Sequence, residues 1–144
     1  MISMDKEIER IILPIDGSDY AKKAAKKAFF IAKNIDVEVD IICVLDPFRY
    51  STHHEFFHTF TRVRREQAIK YLDEIEEMGK NIGAKCSVRL IDKGTPIEEI
   101  IKSANPNDLI VIGSKGHSDI ERILIGGISE KVVRHAKCSV MVVR

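Results

Sequence analysis

Residues Asn107–Glu130 read NDLIVIGSKGHSDIERILIGGISE, and the fold turns on the opening run Leu109-Ile110-Val111-Ile112. Four consecutive aliphatic residues bounded by polar ones are the composition of a short strand buried on both faces of a parallel sheet. Gly113 and Gly116 stand at its end, and a second pair, Gly126-Gly127, precedes a segment of helical character. Glycine at a strand end lets the chain turn tightly and lets a ligand approach the main chain without a Cβ in the way. Main-chain N–H groups next to a helix N-terminus make a seat for an anion such as phosphate. A strand–turn–helix corner in which the glycines serve turn geometry alone is the other reading.

Outward from this stretch, strand and helix patterns alternate. Arg10–Ile15 reads as a first strand with Pro14 near its end, where a missing N–H is tolerated, and Asp16 at its carboxyl tip. Ser18 is placed to cap a helix with Asp19 in its first turn. Ala21, Ala24, Ala25, Ala28, Ala32 and Ile35 then recur at three- and four-residue spacing, giving a narrow apolar stripe. Lys22, Lys23, Lys26, Lys27 and Lys33 fall mainly on the opposite side and read as a solvated face, since no aromatic residues are interleaved for base stacking. Val37–Leu45 is a second strand with Val44 near its end. Asp46–Thr59 reads as a long connector, and a helix is expected from about Thr61, carrying Ala68, Tyr71, Leu72, Ile75, Met78 and Ile82 and stopped by Gly83. Lys85–Ile91 alternates more than the other strands, which suits an edge. Thr95-Pro96-Ile97-Glu98 has the form of a capping box with proline at N1. The helix that follows is expected to bury Ile97, Ile100, Ile101 and Ala104 and to stop before Asn105-Pro106. Beyond the glycine stretch, a helical turn with Ile120, Ile123 and Leu124 is expected. A last helix is expected to be capped by Ser129 or its neighbours, to turn Val132 and Val133 inward and to run to Ala136. A strand over Cys138–Val143 closes the chain.

The spacing Gly113-x-x-Gly116-(nine residues)-Gly126 resembles the nucleotide-binding signature of the universal stress protein family. Ile11-Ile12-Leu13-Pro14-Ile15-Asp16-Gly17-Ser18 looks like that family's first strand and turn, and Cys138-Ser139-Val140-Met141-Val142-Val143 like its last strand, so the resemblance spans nearly the whole chain. It implies a single domain over 1–144 with an open parallel five-stranded sheet in the order 3-2-1-4-5, helices on both faces, in the Rossmann-like adenine nucleotide alpha hydrolase-like fold. Strands one and four would be neighbours at the topological switch point, where ligands of open α/β sheets bind. The implied ligand is ATP or another adenine nucleotide, with Mg²⁺, and the implied role is a stress-response module. The expected binding residues are Pro14, Ile15, Asp16, Val44, Ile112, Gly113, Gly116, Gly126, Gly127, Ile128 and Ser129. Asp16 would reach ribose or the metal, Val44 would present its backbone to adenine, and the glycine stretch would cradle ribose and phosphates. ATP-binding relatives usually carry Ser or Thr where Gly127 stands here, so a hydroxyl donor is lost while the backbone N–H remains. A homodimer paired through the strand at 138–143 is also implied. The alternative is a dimeric interaction scaffold of the same fold that has lost its nucleotide.

Composition sets the bounds. A chain of 144 residues, 44% hydrophobic and 31% charged, can build one ordinary core. A net charge of +1 gives no general pull toward nucleic acid or acidic membranes. The N-terminus does not read as a signal peptide and no apolar run approaches membrane-span length, so a cytoplasmic protein is expected. Cys43, Cys86 and Cys138 are far apart and sit in apolar runs, as buried reduced thiols do. Neither a P-loop nor G-x-G-x-x-G after the first strand is present, and Gly113-Ser114-Lys115-Gly116 is not a nucleophile elbow. No general base is paired with a nucleophile, so hydrolysis would at most be slow. Lys115 and His117 read as solvated loop charges. His54-Glu55-Phe56-Phe57-His58 matches H-E-x-x-H, a zinc-protease spacing when helical. It lacks a third ligand and falls in the expected connector, so an aromatic flap near the ligand is the favoured reading, ahead of adventitious metal binding by His53, His54 and His58.

Overall fold

The computed structural model describes residues 7–46, 54–116 and 124–144, with side chains described from residue 61 in the second segment. The elements follow in strict alternation: β1 (Arg10–Pro14), α1 (Asp19–Ile35), β2 (Glu38–Val44), α2 (His54–Ile82), β3 (Lys85–Ile91), α3 (Pro96–Ser103), β4 (Asp108–Gly113), α4 (Gly127–His135) and β5 (Ser139–Val143). The strands form one parallel sheet in the order β3-β2-β1-β4-β5, as expected. Two apolar clusters sandwich it. Ile11, Leu13, Val39, Ile41 and Val111 pack against α1 and α2. Ile12, Ile42, Ile110 and Ile112 pack with Ile100 and Val132 of α3 and α4. All six residues of β4 are buried, which is why its sequence reads as an unbroken apolar run.

Local chemistry fixes the ends. The Ser18 side chain accepts the Ala21 N–H at 3.2 Å and caps α1. Its alanine stripe is buried as expected, together with Phe29, but Ile35 is 40% exposed because the helix ends there and the chain turns away at Asp36, whose φ is 55°. Gly83, at φ 95°, stops α2 by donating to the Gly79 and Lys80 carbonyls. The start of α2 departs from expectation: helix begins at His54, not near Thr61, so H-E-x-x-H lies on a helix rather than in a connector. No proline or glycine interrupts the stretch from His54 to Met78, so nothing in its composition stops the helix from starting there. The imidazoles of that motif lie outside the described side chains. Among the described residues, no group of three or more His, Cys, Asp or Glu is arranged to hold a metal.

Three further corrections are local. Thr95 adopts the extended N-cap conformation before α3, but its hydroxyl makes no cap bond, so the capping box does not form. Val132 is fully buried while Val133 is 48% exposed, since α4 offers the sheet only one face. Cys43 is buried, but Cys86 and Cys138 are only half-buried, Cys86 because it stands on the edge strand β3 and Cys138 because it precedes the opposite edge strand β5; all three are free thiols. The expected helical turn at Ile120 and Ile123 lies outside the described residues. Among those described, no helix is long and apolar enough to cross a membrane.

At the amino ends of the strands a polar row ties the sheet together. The Arg10 guanidinium donates to Asp108 Oδ2 at 2.8 Å and to the Ser103 carbonyl at 2.9 Å, and lies 3.6 Å from Asp40. Asp40 also accepts from Arg89 at 2.7 Å, and Asp108 from the Asn105 N–H at 2.8 Å. Both carboxylates are buried, so these partners offset the cost of removing them from water.

Candidate functional site

The carboxyl ends of the strands open where β1 and β4 separate. These strands pair only from Arg10 with Asp108 to Ile12 with Ile110, yet β1 continues to Pro14 and β4 to Gly113. Pro14 has no N–H to offer, so the ladder has a natural place to fork. On the other side of β1, the ladder to β2 ends with the Ile15 N–H donating to the Ile42 carbonyl at 2.8 Å. The Leu45 N–H donates outward to the Ile91 carbonyl at 2.7 Å. In a parallel ladder this alternation turns Val44's own N–H and C=O toward the β1 side, past the last ladder bond.

A cavity of about 330 Å³ fills the fork, within the usual range for small-molecule sites. Pro14, Ile15, Ile42, Val44 and Ile112 from the strand ends and Pro96, Ile97 and Ile100 from α3 give it apolar walls. Gly113, Gly116, Gly127, Ile128 and Ser129 line the opposite end, where α4 begins. Asp16 and Gly113 therefore meet at one cavity although nearly the whole domain separates them in sequence. Asp16 Oδ1 accepts the Ser18 N–H at 2.9 Å, which fixes the carboxylate at the start of α1. A wider, shallower groove between α1 and α2, lined by Lys26, Phe30, Glu74 and Met78, lies away from the strand ends.

The glycines differ in what they do. A Cβ on Gly113 would stand 2.8 Å from the Tyr20 carbonyl carbon, so this glycine lets α1 approach the end of β4. A Cβ on Gly127 would meet nothing within 4 Å. Gly126 does not line the cavity: it caps α4 from an extended conformation and donates its N–H to the Ser114 carbonyl at 2.6 Å. Among the described residues no side chain caps α4, so its first N–H groups face the cavity without an intrahelical partner. Ser129 is not the cap either. Its hydroxyl donates to the Gly113 carbonyl at 2.6 Å, within the protein.

Charged residues line the cavity as well. Arg64 of α2, Lys115 of the loop after β4 and Lys131 of α4 line the cavity, as do Asp16 and Asp46. The Lys115 ammonium lies 5.4 Å from the centre of the Tyr20 ring, and Lys23 holds an equal distance. Cys43 sits just behind the β2 end, where burial and then the nearby Asp16 carboxylate push its thiol up to about 11. The arrangement offers apolar walls beside the Val44 backbone and free amides where α4 begins, with three cations and two carboxylates on the lining.

Of the residues the sequence marks as a site, all but Gly126 line this one cavity. Ala21, Ile42, Asp46, Arg64, Pro96, Ile97, Ile100 and Lys131 line it without having been marked, and Lys115 does so although it read as a solvated loop charge. Arg64 and Lys131 lie on helices whose apolar periodicity gave no reason to single out a charged position. Pro96 and Ile97 carried a signal only as the start of a helix. His117 lies outside the described residues.

Comparison with known proteins supplies the family. A profile of the universal stress protein family matches residues 7–144. Universal stress protein MJ0531 of Methanocaldococcus jannaschii is 35% identical over 140 residues, spanning 94% of this chain and 82% of that protein. Among solved structures, the universal stress protein UspA from Lactobacillus plantarum superposes with a TM-score of 0.80 at 26% identity, covering 94% of this chain and 97% of its own. Three others share the fold at lower identity: one is a complex with cAMP, one from Archaeoglobus fulgidus is a complex with dAMP, and one from Arabidopsis thaliana has AMP bound.

Proposed function

The chain belongs to the universal stress protein family, and on that premise we propose that it is an ATP-binding stress-response module holding the nucleotide in the fork between β1 and β4. The observation that carries this reading is the pairing of two recognition ends in one cavity. Val44's exposed N–H and C=O match the donor–acceptor edge of adenine, and the apolar walls match its faces. Uncapped amides at Gly127, Ile128 and Ser129 suit phosphate at the positive end of α4. Asp16 is the group for ribose hydroxyls or a phosphate-bound Mg²⁺. The adenine nucleotides in three relatives of the same fold support the ligand class.

The same reading gives β5 to a second copy of the chain. It is the outer strand of the sheet, and its apolar residues Val140, Met141 and Val142 are only half-buried. An open apolar edge of this kind favours pairing with an identical strand.

The deciding experiment is the nucleotide content of natively purified protein, released by denaturation and identified by mass. Retained adenine nucleotide is expected, lost on Asp16→Ala or Gly116→Val. Protein that carries none and shows no thermal shift with ATP and Mg²⁺ would instead be read as a scaffold acting through the β5 edge.

A further inference from the structure

We propose that Lys131 is the residue that makes this site count phosphates, by clamping the terminal phosphate of the bound nucleotide. The inference rests on the nucleotide-binding reading above and adds to it a specificity that the glycine stretch does not supply. Lys131 lies four residues beyond Gly127 on α4, and residues at that spacing share one face of a helix. Both line the cavity. Gly127 leaves open space on that face, because a Cβ there would meet nothing within 4 Å. With no side chain at 127 in the way, the flexible Lys131 side chain can reach back over the first turn of its own helix, toward the anion seat made by the uncapped amides.

Its neighbours leave the lysine available for this role. Glu130, the nearest carboxylate in sequence, is paired with Arg134 at 2.9 Å one turn further along. Lys115 is drawn toward α1, with its ammonium 5.4 Å from the Tyr20 ring. Arg64 comes from α2, close enough to Cys43 to act on its thiol. Of the cations that line the cavity, Lys131 is thus the one carried by the helix that offers its N-terminus to phosphate. The amides recognise a phosphate wherever it comes in the chain, whereas a charge one turn out gains with each further phosphate that extends toward it. A lone hydroxyl at position 127 would add one neutral hydrogen bond; an ammonium on this face adds a charge-assisted one and a dependence on phosphate number.

The test is calorimetric titration of the full chain with AMP, ADP and ATP, for wild type and for Lys131→Gln. Affinity in wild type is expected to rise from AMP to ATP. Lys131→Gln is expected to weaken ATP by about tenfold, the worth of one charge-assisted hydrogen bond, while AMP changes by less than about twofold. Lys131→Arg should restore the gradient. Equal loss for AMP and ATP, or no loss for either, overturns the proposal and leaves nucleotide binding standing. If wild type binds none of the three, the nucleotide reading fails and this inference falls with it.

Discussion

The Ser129 hydroxyl donates to the carbonyl oxygen of Gly113 at 2.6 Å, joining the first turn of α4 to the last residue of β4. That bond sets where the α4 amides stand relative to the strand fork. Ser129→Ala leaves a buried carbonyl without its partner, at a cost of about 1–3 kcal/mol. Chemical denaturation should show a lower midpoint with an unchanged slope. Nucleotide affinity should fall as well, because the helix tip is no longer held in place. A variant with wild-type stability would mean that the bond carries no load.

Gly127→Ser should bind nucleotide more tightly than wild type. The position is open to a side chain and its φ lies outside the left-handed region, so serine enters without strain. One added neutral hydrogen bond is worth about 0.5–1.5 kcal/mol, or up to about tenfold in affinity. Titration with ATP checks this, and a weaker variant would show that the phosphates pass elsewhere.

Gly113→Ala should fail for a different reason. Its methyl group would press on the Tyr20 main chain, which belongs to α1 and cannot yield like the tip of a side chain. Overpacking of this kind costs about 1–3 kcal/mol. The expected signature is a lower melting temperature both with and without nucleotide.

The two arginines that approach Asp40 should differ. Arg10 also holds Asp108, and both carboxylates are buried, whereas Arg89 stands half-exposed on the edge strand. Truncating one partner of a fully buried pair costs about 3–5 kcal/mol, and Arg10→Ala should approach the lower end because its guanidinium is partly solvated. Arg89→Ala should cost less than Arg10→Ala, since Arg89 is the more exposed of the two and holds one buried carboxylate rather than two. Equal losses would contradict the assignment of Arg10 as the central tie.

Cys43 supplies the pH prediction. Burial and the Asp16 carboxylate raise its thiol from the ordinary 9.0 to about 11, so the folded state retains a proton that the unfolded state releases. The stability linked to that proton is complete below pH 9 and is lost as the pH rises to about 11. Alkylation at pH 8 should modify Cys86 and Cys138 while sparing Cys43, and Cys43→Ala should flatten the alkaline decline in stability.

Much of this was legible because burial writes itself into sequence. β4 is covered on both faces, so Leu109–Ile112 had to be a continuous apolar run, and β3 alternates because it lies at the edge. Ser18 and Gly83 announced helix ends through groups that bond the backbone directly. The failures also have causes. A serine near a helix start looks like a cap, yet Gly126 takes that place and Ser129 reaches back to the strand. The first turns of α2 precede Ala68, where the apolar stripe read from the sequence begins, so periodicity gave no sign of them. Arg64 and Lys131 are charged residues on amphipathic helices, and only the folded arrangement distinguishes a charge facing the cavity from one facing water.

The Arg10 tie and the cavity stand at opposite ends of the same short strands, with Arg10 and Pro14 separated by about 13 Å of extended chain. The ion pairs that hold the sheet therefore share no side chain with the groups proposed to meet the ligand. Substitutions at the tips, such as the glycine at 127, can accumulate over evolutionary time without drawing on the stability held at the base. A fold divided in this way can change what it recognises, or lose its ligand altogether, and still be inherited as the same fold.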